Sequence, residues 1–323
     1  MAKNYDHTMA YSADWKKKTG VLEFPMTNDY LFRALLQKDE KSLKALVGTF
    51  LMVEPERITD IEITNPIILG ESIFDKEYHL DVKVLVDNKL KMNLEMQVLS
   101  HQGWIERTLV YACREFDDLN RGESYQDILR VWQISLCCFD LFENDPEFFS
   151  DYMLINTKKP NQVYCDKLRI SNVNLNQINL ATDEDKKRGL TDWARMFRAK
   201  SWEELEMIAQ DNAMIDQAVS SISQLTEDKR IRDEIWKRED NARIELSNKV
   251  AYERAVERIR KQNAEIKEKN AEIKEKAAEI KDNNKRLREK DAVIARLMKM
   301  LPNASDINLE DLENSCKEET YSE

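Results

Sequence analysis

Asp81, Glu95 and Gln97 are the residues of this chain whose types and spacing could do chemistry together. They lie in the stretch 74–100, FDKEYHLDVKVLVDNKLKMNLEMQVLS. It alternates as a half-buried strand does, breaks at Asp87-Asn88-Lys89, and alternates again. Leu80, Val82, Val84 and Val86 form one apolar stripe, and Leu90, Met92, Leu94, Met96 and Val98 form the next. His79, Asp81, Lys83 and Leu85 face the other way, as do Lys91, Asn93, Glu95 and Gln97. A one-residue slip would turn one apolar stripe to the wrong face, so the two stripes must pair. A three-residue turn then pairs Val86 with Leu90 and, by counting, Asp81 with Glu95. Directly opposed like charges destabilise a sheet. Two carboxylates set side by side therefore call for a cation between them, and hard oxygen ligands suit Mg²⁺ or Mn²⁺. Taken singly, each carboxylate reads as an ordinary charge on the wet face of a hairpin.

The elements around this hairpin can position such a site. Thr27-Asn28-Asp29 opens a helix through Tyr30, Leu31, Leu35 and Leu36, with Thr27 or Asn28 as N-cap. A further helical stretch runs through Leu43, Leu46, Val47 and Phe50, and residues 58–64 alternate as a strand. After the hairpin, residues 104–121 read as a helix with Gly122 at its C-cap. Arg107, Tyr111 and Arg114, at i, i+4 and i+7, share one face of it. Residues 131–139 read as a largely buried strand and 163–170 as another candidate. The order is α-β-β-β-α-β.

Asp on one strand followed by Glu-x-Lys on the next is the core of PD-(D/E)XK nucleases, and Glu95-Met96-Gln97 has Gln where most members have Lys. With Thr27-Asn28-Asp29-Tyr30-Leu31-Phe32, Leu80-Asp81-Val82 and the Arg107…Tyr111 helix, the chain resembles the recombination-promoting nuclease (Rpn) family of transposases over roughly residues 24–142. The resemblance implies an α/β, restriction-endonuclease-like αβββαβ core with a mixed sheet. It also implies Mg²⁺-dependent DNA endonuclease activity (Mn²⁺ as a substitute) linked to recombination, mobile elements or defence. Asp81 and Glu95 would hold the metal together with the Met96 backbone carbonyl. Gln97, which has no charge, would hydrogen-bond a water or a phosphate oxygen. Asp29 matches the acidic residue that many such nucleases carry on the first helix, though it also reads as a charge favoured at a helix N-terminus. Arg107 would contact a phosphate or a site carboxylate, and Tyr111 would pack or donate a hydrogen bond.

Composition bounds these expectations. The chain has 323 residues, 34% of them charged and 42% hydrophobic, with few Gly and Pro. That composition predicts a helix-rich soluble protein. No apolar run approaches the roughly 18 residues a membrane span needs, and residues 1–18 lack an apolar core, so no secretory signal is expected. The five cysteines show no CxxC spacing and predict free thiols in a reducing cytoplasm. With three scattered histidines, zinc is not expected. The net charge of −11 opposes a tight, indiscriminate coat on DNA, since nucleic-acid affinity needs a local basic patch.

Tyr252, Ile259, Ile266, Ile273, Ile280, Leu287 and Ile294 recur every seventh residue, with Val256, Asn263, Asn270, Ala277, Asn284 and Asp291 at the companion a-positions. Such a repeat predicts a left-handed coiled coil, and a homodimer through residues 250–297 is the simplest assembly. A solvated single helix and pairing with a different protein remain open. The expected organisation is a polar arm over 1–20, a nuclease-like domain over 21–180, a helical region over 181–235, the coiled coil over 236–300 and an acidic tail over 301–323. Two rival functions stand beside the nuclease: a catalytically silent module binding DNA or a partner protein, and an oligomeric scaffold built on the coil.

Overall fold

The computed structural model describes residues 10–65, 82–100, 102–119 and 122–300. Helices α1 (Asp29–Lys38) and α2 (Glu40–Leu51) lead into strands β1 (Ile61–Ile63), β2 (Val82–Val86) and β3 (Leu90–Gln97). Helix α3 (Trp104–Phe116), strand β4 (Arg130–Cys137), and the hairpin β5 (Phe149–Asn156) and β6 (Lys159–Asn174) follow. Helices α4 (Asp183–Arg188), α5 (Leu190–Arg198), α6 (Trp202–Ala209), α7 (Ala213–Leu225) and α8 (Lys229–Met300) complete the chain. The six strands make one mixed sheet in the order β1-β2-β3-β4-β6-β5. β3 and β6 flank β4 in parallel, and the remaining pairs are antiparallel.

The hairpin register is the one the alternation predicts, with Val86 opposite Leu90, Val84 opposite Met92 and Val82 opposite Leu94. Asp87 and Asn88 make the turn at φ 47° and 53°, a region these two side chains tolerate better than most. Pairing in the described residues stops at Val82; Asp81, with the expected pair Asp81–Glu95, lies outside them.

The two faces of the sheet differ. Val82, Val84, Met92, Leu94, Met96, Trp132, Ile134 and Leu136 join the core built with α1, α2, α5 and α7. α1 lies inside that core, so Tyr30, Leu31, Phe32, Ala34, Leu35 and Leu36 are all buried and its sequence has no wet stripe. The opposite face carries the polar alternates and is covered by α3, which buries only Trp104, Thr108 and Ala112. Asn93 and Glu95, expected on a solvated face, are therefore enclosed, at 3% and 6% exposure.

Several boundaries depart from the sequence reading. Residues 13–17 form a short 3-10 helix that sinks Trp15 into the core, and Ser12 donates its N–H to Ser220 Oγ at 2.9 Å, so this part of the polar arm is packed. β1 spans three residues rather than seven. α3 stops at Phe116, five residues early, and Gly122 is not its cap. Asp117 and Asp118 follow at once, where the negative end of the helix dipole disfavours carboxylates. Gly189, at φ 82°, ends α4 and starts α5 in one turn. The β5 strand was not anticipated.

The chain divides into two units at Ile244 and Glu245. The first turns of α8 belong to the first unit. There Ile231 and Ile235 are buried, Trp236 meets Phe24 edge-on at 5.5 Å, and Asn28 donates to Glu239 at 2.7 Å. From 245 to 300 α8 is one continuous helix.

Helix α2 starts on Asp39, which is buried and caps Lys41 N and Ser42 N. It also accepts from Ser42 Oγ, Gln217 Nε2 and Ser221 Oγ, tying α2 to α7. Asp39→Ala removes the cap and strands those buried donors, and should lower unfolding stability by about 2–4 kcal/mol, read as a shift of the urea midpoint.

Candidate active site

Strand alternation places Lys91, Asn93, Glu95 and Gln97 under α3, and the parallel register extends this row across the sheet. Asn93 lies opposite Gln133, Glu95 opposite Ser135, and Ser135 opposite Asn172. Asn93 donates to Gln133 Oε1 at 2.8 Å. Asn93, Glu95, Gln133, Ser135 and Asn172 are buried. Ser135 Oγ, Gln133 Nε2, Asn93 Oδ1 and Asn172 Oδ1 find no hydrogen-bond acceptor or donor among the described residues. Buried polar atoms of this kind call for an explanation, such as a role at a site. Gln133, Ser135 and Asn172 were not singled out by the sequence reading. The available signal was in β4, where Gln133 and Ser135 interrupt an otherwise apolar central strand at period two.

Glu95 is a buried carboxylate in this layer. Arg107 reaches it from α3, with Nη2 3.1 Å from Oε1. The i, i+4 spacing brings Tyr111 onto the same face, and Arg107 Nε donates to its hydroxyl at 3.2 Å. The guanidinium lies 5.2 Å from the ring centroids of both Trp104 and Tyr111. Trp104 is itself fixed edge-on against Phe139 at 5.9 Å. Two aromatic faces and a hydroxyl therefore hold the arginine in a single orientation. Glu95, Arg107 and Tyr111 come together. Gln97 sits one step along the strand, but its amide donates to the Leu99 carbonyl at 2.8 Å. The Met96 side chain points into the opposite core, so its backbone alone is on offer.

The lysines of the hairpin are engaged as well. Lys83 bonds Glu115 at 2.6 Å, and Lys91 pairs with Asp118, both half-buried beside the end of α3. With Asn93 and Val131 they line a cavity of about 170 Å³. Cys137, next to Gln97 in the register, is buried; burial, and secondarily the charge of Glu95, push its thiol far above the ordinary range, so it is an inert thiol.

Asp29 is placed elsewhere. It occupies the first turn of α1, accepts from Tyr30 N at 2.7 Å, and has Arg238 and Glu239 of α8 as its charged neighbours. Burial raises its carboxyl above the ordinary 3.8, against the opposing pull of Arg238. Within the described residues, no group of three His, Cys, Asp or Glu side chains could hold a metal ion. Glu95 supplies one hard oxygen donor of the expected set, and Asp81 lies outside the described residues.

A mixed α/β sheet with this carboxylate on the strand before α3 is consistent with a PD-(D/E)XK fold. The family model of the PD-(D/E)XK nuclease family transposases matches residues 26–253, and the chain belongs to that family. The match runs past residue 142, where the motif resemblance stops, to include α4–α7 and the start of α8. Searches of curated proteins and of solved structures returned no match.

Removing the guanidinium would leave a buried carboxylate without this ionic contact. Arg107→Ala should cost about 1–3 kcal/mol, the lower part of the range for a buried pair because the arginine is one-third exposed. Arg107→Lys should recover only part of it, since it keeps the charge but loses the fork and the stacking. Urea titrations of both variants check this.

Asp29 gives a pH dependence. Its folded carboxyl titrates above its unfolded one, so the native state holds the proton longer. Stability should therefore fall as pH rises from the ordinary value near 3.8 through the raised folded value, and level off beyond it. Asp29→Asn should flatten that decline, measured as urea midpoints between pH 3.5 and pH 7 against the parent.

Proposed function

We propose that the chain is a metal-dependent nuclease acting on DNA, with its site on the α3 face of the sheet. The observation that carries this reading is the buried Glu95 carboxylate, held by Arg107 at the strand position the family reserves for its acidic residue. Asp81, Glu95 and the Met96 carbonyl are the proposed ligands of a divalent cation, Mg²⁺ or Mn²⁺. Bound there, such a cation polarises the scissile phosphate and lowers the pKa of a bound water. Arg107 aims Glu95, and its remaining donors suit a phosphate oxygen. Tyr111 fixes Arg107. To meet a water or a phosphate oxygen, the Gln97 amide has to leave the Leu99 carbonyl, a rotation within the strand end. Family membership supports a recombination, mobile-element or defence setting.

A second reading has its own observation. Arg107 already contacts a Glu95 oxygen, Gln97 is turned to its own backbone, and no lysine stands in its place. A silent nuclease fold that binds DNA or a protein has this appearance. Homodimerisation through α8 rests on the exposed isoleucine column alone; the charges beside that column favour another occupant.

Plasmid cleavage separates the two readings. With Mg²⁺ or Mn²⁺ the chain should nick supercoiled DNA, EDTA should stop it, and Asp81→Ala and Glu95→Ala should each lower the rate by about a hundredfold or more. Equal rates in the variants, or no cleavage with either metal, would move the assignment to the silent module.

A further inference from the structure

α8 between 245 and 300 is a helix with an apolar column on which none of the described residues packs. Ile259, Ile266, Ile273, Ile280, Leu287 and Ile294 are 51–63% exposed. A column of large apolar side chains at strict seven-residue spacing is the seam of a coiled coil. What covers it is written in the two neighbouring columns, the e and g positions, which set partner choice. With the isoleucines at d, the e positions are Arg260, Lys267, Lys274, Lys281 and Arg288, and the g positions are Gln262, Lys269, Lys276, Asn283 and Lys290. Not one is acidic.

Between Ile259 and Lys290 the carboxylates lie on the opposite side of the helix, at Glu265, Glu272 and Glu279 and at Glu268, Glu275, Asp282 and Glu289. Among the described residues, Lys267, Lys269, Lys274, Lys276 and Lys281 form no ion pair, whereas Lys261 and Arg286, off the seam, pair with Glu257 and Asp282. Lys and Arg outnumber Asp and Glu by 16 to 11 over 245–300, in a chain whose net charge is −11. This is a basic face on an acidic protein.

A second copy fits that face poorly. In a parallel pair Lys269 would meet Lys274 of the other copy, and Lys276 would meet Lys281, each contact occurring twice. In an antiparallel pair e faces e and g faces g, which again sets lysine against lysine. Like charges at such positions repel, with no attractive pair to offset them. A phosphate backbone would use the lysines but leave six large apolar side chains uncovered.

We propose that this face of α8 takes a helix from a different protein, apolar at its own seam and carrying Asp or Glu at the flanking positions. Asn263, Asn270 and Asn284 at a-positions fix the register and favour a parallel partner with polar residues in the same layers. This proposal is independent of whether the α3 face cleaves DNA.

The test uses the full chain and two synthetic five-heptad peptides, both with Leu at d and Asn at the matching a-layers, one with Glu and one with Lys at every e and g position. Light scattering should show the chain as a monomer at micromolar concentration, and fluorescence anisotropy should show the Glu peptide binding at least about tenfold more tightly than the Lys peptide. Ile273→Asp with Ile280→Asp should abolish binding. The fourfold exchange of Lys269, Lys274, Lys276 and Lys281 to Glu should invert the preference. A stable dimer of the chain with no peptide bound would overturn the proposal in favour of self-pairing. Equal affinity for the two peptides would overturn it. So would a Glu-peptide affinity that survives the Ile double variant, which would mean charge alone, or a lysine exchange that fails to invert the preference.

Discussion

The ionic contact between Arg107 and Glu95 is the constraint around which the α3 face is arranged. A carboxylate this buried is costly in its charged form unless an opposite charge and good donors meet it. The pair also does what packing alone would not. It fastens α3, which has few buried residues, to the strand in the middle of the polar face, and it fixes the direction of the carboxylate. Trp104, Tyr111 and Phe139 then follow as the groups that hold the arginine still. The same contact is where the two functional readings diverge, because a guanidinium can either orient a metal ligand or stand in place of the metal.

The rest of the first unit makes that arrangement rigid from behind. The apolar face of the sheet rests on α1 and α2, and α5 and α7 close the core around them, with Asp39 joining α2 to α7 through buried hydrogen bonds. The first turns of α8 seat Trp236 on Phe24 and bring Arg238 and Glu239 to the start of α1. Asp29 thereby belongs to a helix junction, and its raised carboxyl reflects that enclosure.

Much of this was legible in the sequence, for reasons that particular residues make plain. Period-two alternation and an Asp-Asn turn determined the β2–β3 register, because a one-residue slip would have exposed Val82, Val84 and Val86. The i, i+4 spacing was enough to put Arg107 and Tyr111 on one face. Enclosure was not legible: Asn93 and Glu95 read as solvated until α3 was seen to cover them. Trp15 escaped notice because one anchoring aromatic in a polar stretch carries no periodicity. Ser135 and Asn172 escaped because polar residues inside a buried strand acquire meaning only from their cross-strand neighbours. Asp29 was assigned by motif position, and its actual neighbours come from α8, more than two hundred residues along the chain.

The central claim is that Glu95 is held ready to receive a divalent cation. Its most direct test is Mn²⁺ binding followed by electron paramagnetic resonance, with the parent chain compared with Glu95→Gln at matched protein stability. One bound Mn²⁺ per parent chain, with affinity at least about tenfold weaker in Glu95→Gln, is the result the Glu95 site predicts. Mn²⁺ affinity unchanged by Glu95→Gln would contradict it, leaving Arg107–Glu95 as an ion pair that serves the fold alone.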